Sequence, residues 1–217
     1  MTEVMYRIPL PIFAAVMTIA VTAGAAPAQT TKPADPAPAA PAAPAAPITL
    51  TWSETVDAVG KATERGDVPS VAATLAREAV VRSFETSELA GARMLVDAAA
   101  GWKLLGAHAY EFPPPTLATD IGDDVKGSSF VADADKRKIV PLDEAEAARA
   151  NTTAADWVAQ TLGAERDNLV GVAVFWNLKS NRPMFVLMKG QRVGGTHLVK
   201  QAVYGDPMAR RSTAAAR

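Results

Sequence analysis

The residues from Lys32 to Pro47 read KPADPAPAAPAAPAAP, and they limit the fold more than any other feature of the chain. Each proline lacks an amide hydrogen and fixes its own φ, so neither a helix interior nor a central strand can run through them. The segment also offers no large apolar side chain for burial. It reads as a semi-extended spacer, and any core must be built from the residues on its C-terminal side.

The residues before the spacer have a different character. After Arg7, the stretch Ile8 to Ala26 (IPLPIFAAVMTIAVTAGAA) is almost wholly apolar or small, as the hydrophobic region of a secretory signal is. Ala26-Pro27-Ala28 and Ala23-Gly24-Ala25 both match the small-x-small cleavage pattern, so cleavage is expected after Ala28, with Ala25 as the alternative. About 20 apolar residues can also span a bilayer, so contact with a membrane is expected only through an uncleaved leader. The expectation is a periplasmic or secreted protein: signal peptide 1–28, Ala/Pro linker 29–47, one domain 48–207 and a flexible tail 208–217. That domain falls in the size range of a single hydrophobic core.

Composition removes several kinds of chemistry. There is no cysteine, which excludes disulfides, thiolate metal sites and a cysteine nucleophile. Two histidines, His108 and His197, are too few for a clustered zinc site; no metal and no cofactor is expected. No Gly-x-Ser-x-Gly elbow, phosphate-binding glycine loop or dinucleotide fingerprint occurs. The charge is uneven. Ile48 to Asp167 carries 12 Lys/Arg against 20 Asp/Glu, while Asn168 to Arg217 carries 8 against 1. Acidic helices neutralising a basic sheet would produce this split, as would a basic face awaiting an anionic ligand. The basic residues are scattered over strands and loops, so nucleic acid is not expected as a partner.

Within the domain, Trp52, Val56, Val59 and Ala62 recur at helical spacing and predict a helix over Trp52 to Arg65. Gly66-Asp67 closes it and opens a second, Val68 to Ala76, with Pro69 in its first turn. Ala79 to Phe84 reads as a strand. The alanine-rich stretch Glu88 to Ala107 reads as the longest helix, followed by a short strand Ala107 to Phe112 that Pro113-Pro114-Pro115 ends. Thr116 to Arg149 reads as loops with one or two short helices, Asp120, Asp123 and Asp124 lying in a solvated loop without EF-hand spacing. Thr153 to Leu162 reads as a further helix. Leu169 to Asn177, Pro183 to Lys189 and His197 to Tyr204 read as three antiparallel strands. Gly190 and Gly194-Gly195 are assigned to turns. Alternation puts His197, Val199, Gln201 and Val203 on one face of the last strand.

This order predicts an α+β domain with helices packed on one face of a curved antiparallel, cone-like sheet. The segment ATERGDVPSVAATLAREAVVR, Ala62 to Arg82, resembles the opening of the nuclear transport factor 2-like (SnoaL-like, cystatin-like cone) superfamily, whose first two helices meet at a Gly-Asp corner before the first strand. The resemblance implies a pocket between the long helix and the concave sheet, with Pro113 to Glu165 as an insertion. It does not choose a function, because the superfamily holds isomerases, cyclases and dehydratases beside non-catalytic binding modules.

His108 and His197 are the candidate acid–base residues, the plainer reading of each being a hydrogen-bonded structural histidine. Trp102, Tyr110, Trp176 and Tyr204 are the pocket candidates, with core packing as their plainer role. No acidic residue can be assigned to the inner face of the last three strands. The leading expectation is therefore a non-catalytic envelope protein that binds a small apolar or amphipathic ligand or self-associates, as a homodimer, through its sheet. The alternatives are an isomerase- or hydratase-like enzyme using a histidine with an aromatic hydroxyl, and a module whose Lys179, Arg182, Lys189, Arg192 and Lys200 meet an anionic wall polymer or lipid surface.

Overall fold

The computed structural model describes residues 49–84, 89–139 and 141–206. The chain divides into two units, Met1–Ala45 and Ala46–Arg217, and all the described residues belong to the second. The proposed leader, linker and tail lie outside them. Among the described residues there are six helices and six strands, and the fold is mixed α and β on a curved, open, mostly antiparallel sheet.

Helix α1, Trp52–Arg65, starts at Thr51, whose side chain forms a reciprocal capping box with Glu54, and stops at Gly66, which takes the left-handed conformation at φ 74°. Those two devices satisfy the orphan amides and carbonyls of the helix ends. Helix α2, Val68–Thr74, is capped by Asp67, which accepts from the amide of Ser70. Strand β1, Leu75–Ser83, comes directly after it, and strand β2, Leu89–Ala90, pairs antiparallel with β1.

The expected long helix over Glu88 to Ala107 does not form. Helix α3 covers only Ala92–Ala98, Gly101 turns the chain at φ 79°, and Trp102–Glu111 is a ten-residue strand, β3. The alanines that favour helix in isolation serve another purpose here. Ala107 and Ala109 lie under α1, and Gly60 of α1 comes so close that a Cβ there would sit 3.2 Å from Leu104 and 3.6 Å from Ala107. Small residues on both sides allow that approach, and the ladder to a strand distant in sequence outweighs local propensity.

Helix α4, Leu117–Gly127, and the short α5, Asp133–Lys136, lie in the Thr116 to Arg149 stretch, where loops with one or two short helices are expected; Asp120, Asp123 and Asp124 are on α4, not in a loop. Helix α6, Glu144–Leu162, is the longest of the described helices; it begins at a capping box of Asp143 and Glu146 and ends at Gly163 in the left-handed conformation. Strands β4 (Leu169–Asn177), β5 (Arg182–Val193) and β6 (Thr196–Gly205) form the expected antiparallel meander. Gly194 and Gly195, both at positive φ, make the β5–β6 turn. The sheet order is β2-β1-β6-β5-β4-β3. One pairing departs from the expected all-antiparallel sheet: β1 runs parallel to β6.

Helices cover both faces, not one. Against one face α1 packs Trp52, Val56 and Val59 onto Ala173, Phe175, Met188 and Ala202. Against the other, Leu117 of α4 and Val158 and Leu162 of α6 pack onto Val170, Val172, Val174, Leu187 and Val203. Strand β4 is therefore buried on both sides and reads as an unbroken apolar run, which strict one-sided burial would not tolerate. The long helix expected to wall a pocket against the concave sheet does not form, and α1 covers that face. The α1 side is filled by side chains, with the Trp52 indole laid across Gly171 and Gly190 and donating to the Val170 carbonyl at 2.9 Å. Gly190 is thus a strand residue under Trp52, not a turn residue. In β6 a register irregularity opposite Lys189 and Gly190 leaves Lys200 unpaired with β5, so Val199 faces the α1 side with Ala202 and Tyr204, while Val203 faces α6. The bulge breaks the expected alternation.

Candidate functional site: a histidine and a tyrosine paired with helix carboxylates

Strand alternation brings Gly106, His108, Tyr110 and Phe112 to the α4 side of β3. On α4, Asp120 and Asp124 are four residues apart and share one helical face. The two sets meet. His108 Nε2 lies 2.6 Å from Asp124 Oδ2, and the Tyr110 hydroxyl donates to Asp120 Oδ2 at 2.5 Å. Thr116 Oγ1 donates to the same Asp120 oxygen at 2.7 Å. The His108 and Tyr110 rings stack at 6.3 Å. Room for the Asp124 carboxylate comes from Gly106, where a Cβ would stand 2.1 Å from Oδ2.

The electrostatics are set by this geometry. The hydrogen bond to Asp124 raises the pKa of His108 above its usual 6.5, burial opposes the rise, and the charges of Asp124 and Asp120 add to it. Burial, with Asp120 next, pushes the Tyr110 phenol well above its ordinary range, so it stays a proton donor. An imidazolium between two carboxylates is a charge-assisted arrangement in which each charge stabilises the next. His108 Nδ1 has no bonding partner among the described residues.

The strip continues beyond Tyr110 into the Phe112–Pro115 segment, which leads to α4. Asn151 of α6 accepts from the amides of Ala118 and Thr119 with Oδ1, at 2.8 and 3.3 Å, so α6 caps α4 in place of a Thr116 side-chain cap. Between the proline segment and α6 lies an open cleft of about 420 Å³, walled by Phe112 and the three prolines on one side and by Ala148, Thr152 and Asp156 on the other.

The other residues singled out from the sequence are dispersed. His197, at the start of β6, donates its backbone amide to the Leu50 carbonyl, with Nδ1 3.1 Å from the same oxygen, and its own carbonyl accepts from the buried Thr55 hydroxyl. It fastens the residues before α1. Strands β4 and β5 separate it from His108. Trp102 and Tyr204 line one small cleft of about 150 Å³ together with Met184. Tyr110 and Trp176 are on the opposite face, where Trp176 packs with Val125 and Val131 and donates to Asn181 Oδ1 at 3.0 Å. The four aromatics therefore make no common wall. Of the basic residues, Lys189 caps the end of α6 through the Gly163 carbonyl at 2.8 Å, and Arg182 lies 3.4 Å from Asp206. Lys179, Arg192 and Lys200 are exposed, the first two beside opposite ends of β5.

Sequence reasoning missed Asp120, Asp124, Gly106 and Thr116. The signal available was the i, i+4 carboxylate pair beside an alternating His-x-Tyr, and it becomes readable only once Trp102–Glu111 is a strand and Leu117–Gly127 a helix.

The fold and site define a class no narrower than a mixed α/β domain with an open sheet covered on both faces and a polar strip along one edge strand. No family model matches the chain, and no curated protein or solved structure proved similar to it.

Proposed function

We propose that the chain is an exported, non-catalytic envelope protein whose domain holds a small amphipathic ligand in the cleft between Phe112–Pro115 and α6. The cleft itself carries this reading. Its volume of about 420 Å³ is within the 300–1,000 Å³ usual for small-molecule sites, which are mostly apolar with a few placed polar groups. Proline contributes no amide hydrogen, so that wall is apolar in its backbone as well as its rings. The opposite wall supplies Asn151, Thr152 and Asp156. Asn151 is already tied to two α4 amides, which fixes the wall before a ligand arrives and lowers the ordering cost of binding. Asp156 is the one charged residue lining the cleft, so an amphiphile with an ammonium head fits better than a fatty acid.

An acid–base role for His108 has support in the Asp124 pairing and the unbonded Nδ1. Against it, His108 lines neither this cleft nor the one beside Trp102 and Tyr204, and a base must come within hydrogen-bond reach of a bound substrate. Export rests on the leader pattern and spacer; among the described residues no helix is long and apolar enough to cross a membrane.

The test is a calorimetric titration with decyltrimethylammonium and with decanoate, both below micelle formation, on wild type and on Ala148→Trp. Ala148 is exposed, so tryptophan there fills the cleft without entering the core. Binding of the cation, weaker binding of the anion, and loss of both in the variant are expected. Equal binding by wild type and Ala148→Trp would sink the cleft as the site.

A further inference from the structure

We propose that the His108–Asp124 pair is a pH-responsive latch that holds the C-terminal half of α4 onto edge strand β3 while His108 is protonated and loosens it when His108 loses its proton. The two halves of α4 are fastened differently. At the N-terminal end Leu117 is fully buried, and Asn151 of α6 binds the Ala118 and Thr119 amides. Neither attachment titrates. Tyr110 and Asp120 form the next tie, and the raised pKa of the phenol keeps it a donor across the neutral range. Beyond it, among the described residues, Ile121 packs against the core on the α6 side, Asp124 meets His108 at 2.6 Å and Val125 packs against Trp176 and Val131; of these the Asp124–His108 contact alone is polar.

The groups facing His108 are few. From α4 come Asp120 and Asp124; on its own strand Tyr110 stacks on the ring; across the ladder β4 presents Val172, which carries no charge. Asp123 and Lys126 are exposed on α4. Both charged neighbours are carboxylates one turn apart on α4, so removing the imidazolium charge takes away the cation that offsets them. Gly106 makes the close approach possible: the Asp124 carboxylate occupies the space that a side chain at this position would fill.

The experiment is amide hydrogen exchange read by NMR on the full chain, from pH 5.5 to 8.5, corrected for intrinsic exchange rates, with the His108 ring titrated in parallel. In wild type, protection of the Ile121–Gly127 amides is expected to fall about five- to tenfold, the difference between a hydrogen bond to a charged group and a neutral one. The fall should track the His108 titration, with α6 amides as the unchanged reference. His108→Gln and Asp124→Asn should each abolish the pH dependence, and Asp124→Asn should lower the His108 midpoint. His197→Gln should leave the transition in place. Wild-type protection that stays flat through the His108 titration overturns the latch, and so does an unchanged transition in His108→Gln. The wild-type curve decides the matter even where a variant fails to fold.

Discussion

Gly106→Ala is the substitution that most directly tests whether the β3–α4 strip is held together as described. A Cβ at this position would stand 2.1 Å from Asp124 Oδ2 and 2.5 Å from Oδ1 and Cγ. Ordinary carbon contacts lie at about 3.5–4.0 Å, so the carboxylate must withdraw by more than about 1 Å. At that displacement the 2.6 Å contact with His108 is lost. A hydrogen bond to a charged group contributes about 1.5–3 kcal/mol. Replacing a strand glycine by alanine returns about 0.5–1 kcal/mol. The net expectation is a destabilisation of about 1–2 kcal/mol.

The informative experiment is a double-mutant cycle. Asp124→Ala removes the same hydrogen bond and also empties the space the new methyl would occupy. In that background Gly106→Ala should become neutral or stabilising, reversing its sign, because the steric conflict is gone and the glycine entropy is still recovered. Urea unfolding of the four proteins, followed by tryptophan fluorescence and far-UV circular dichroism, gives the four free energies. Strict additivity, with Gly106→Ala costing the same in both backgrounds, would show that Asp124 is not what the glycine accommodates and would refute the geometry of the strip.

The same contacts set three further outcomes. Because the folded-state pKa of His108 is raised, its contribution to stability is complete below about 6.5, the unfolded value, and is lost as pH rises through the folded value; urea midpoints should fall over that window in wild type and stay level in His108→Gln. Thr63→Val should stabilise by about 1 kcal/mol, since the Thr63 hydroxyl is buried without a hydrogen-bond partner, and thermal unfolding would read the rise; an unchanged or lower midpoint refutes it. Gly171→Ala should cost about 1–3 kcal/mol, because its methyl would stand 2.4 Å from Val56 and 3.1 Å from Trp52, and a red-shifted Trp52 emission should accompany the loss.

The parts of this fold that are legible in the sequence are those whose determinants are local. Helix α1 is legible to its end residues because its apolar spacing and Gly66 sit within the segment itself. The β4–β6 meander is legible for the same reason, each strand being a short apolar run bounded by turn residues. Trp102–Glu111 is not legible. Its alanines carry a helical preference, and what makes it a strand is β4, whose register pairs Trp102 with Asn177 and Glu111 with Leu169. The close approach of α1, permitted by Gly60, Ala107 and Ala109, adds to that; none of this is visible in a window around residue 105. The parallel β1–β6 pairing is equally remote, joining segments more than 100 residues apart.

That one misreading also hides the site. With residues 88–107 taken as helix, His108 falls at a strand edge with nothing opposite it, and Asp120 and Asp124 fall in a loop. Once β3 extends back to Trp102, the period-two alternation lines Gly106, His108 and Tyr110 along one face. The four-residue spacing on α4 then matches it, because two strand residues advance about 6.6 Å and one helical turn advances about 5.4 Å. The near-equality of those two lengths lets one carboxylate meet each ring in sequence. A helix laid along an edge strand in this way pairs i, i+2 with i, i+4, so in this chain the pattern His-x-Tyr and Asp-x-x-x-Asp identifies two segments that face each other. The prolines between them set the reversal: Phe112–Pro115 turns the chain from the end of β3 to the start of α4, so Tyr110, the later strand residue, meets Asp120, the earlier helix residue, and His108 meets Asp124. Exchanging Asp120 and Asp124 for asparagine one at a time should therefore act on different rings, Asp124→Asn shifting the His108 titration and Asp120→Asn weakening the Tyr110 bond by replacing its charged acceptor with a neutral one. An Asp120→Asn variant that moved His108 as far as Asp124→Asn does would show that the two pairs act as one undivided cluster, contrary to the antiparallel matching argued from the turn.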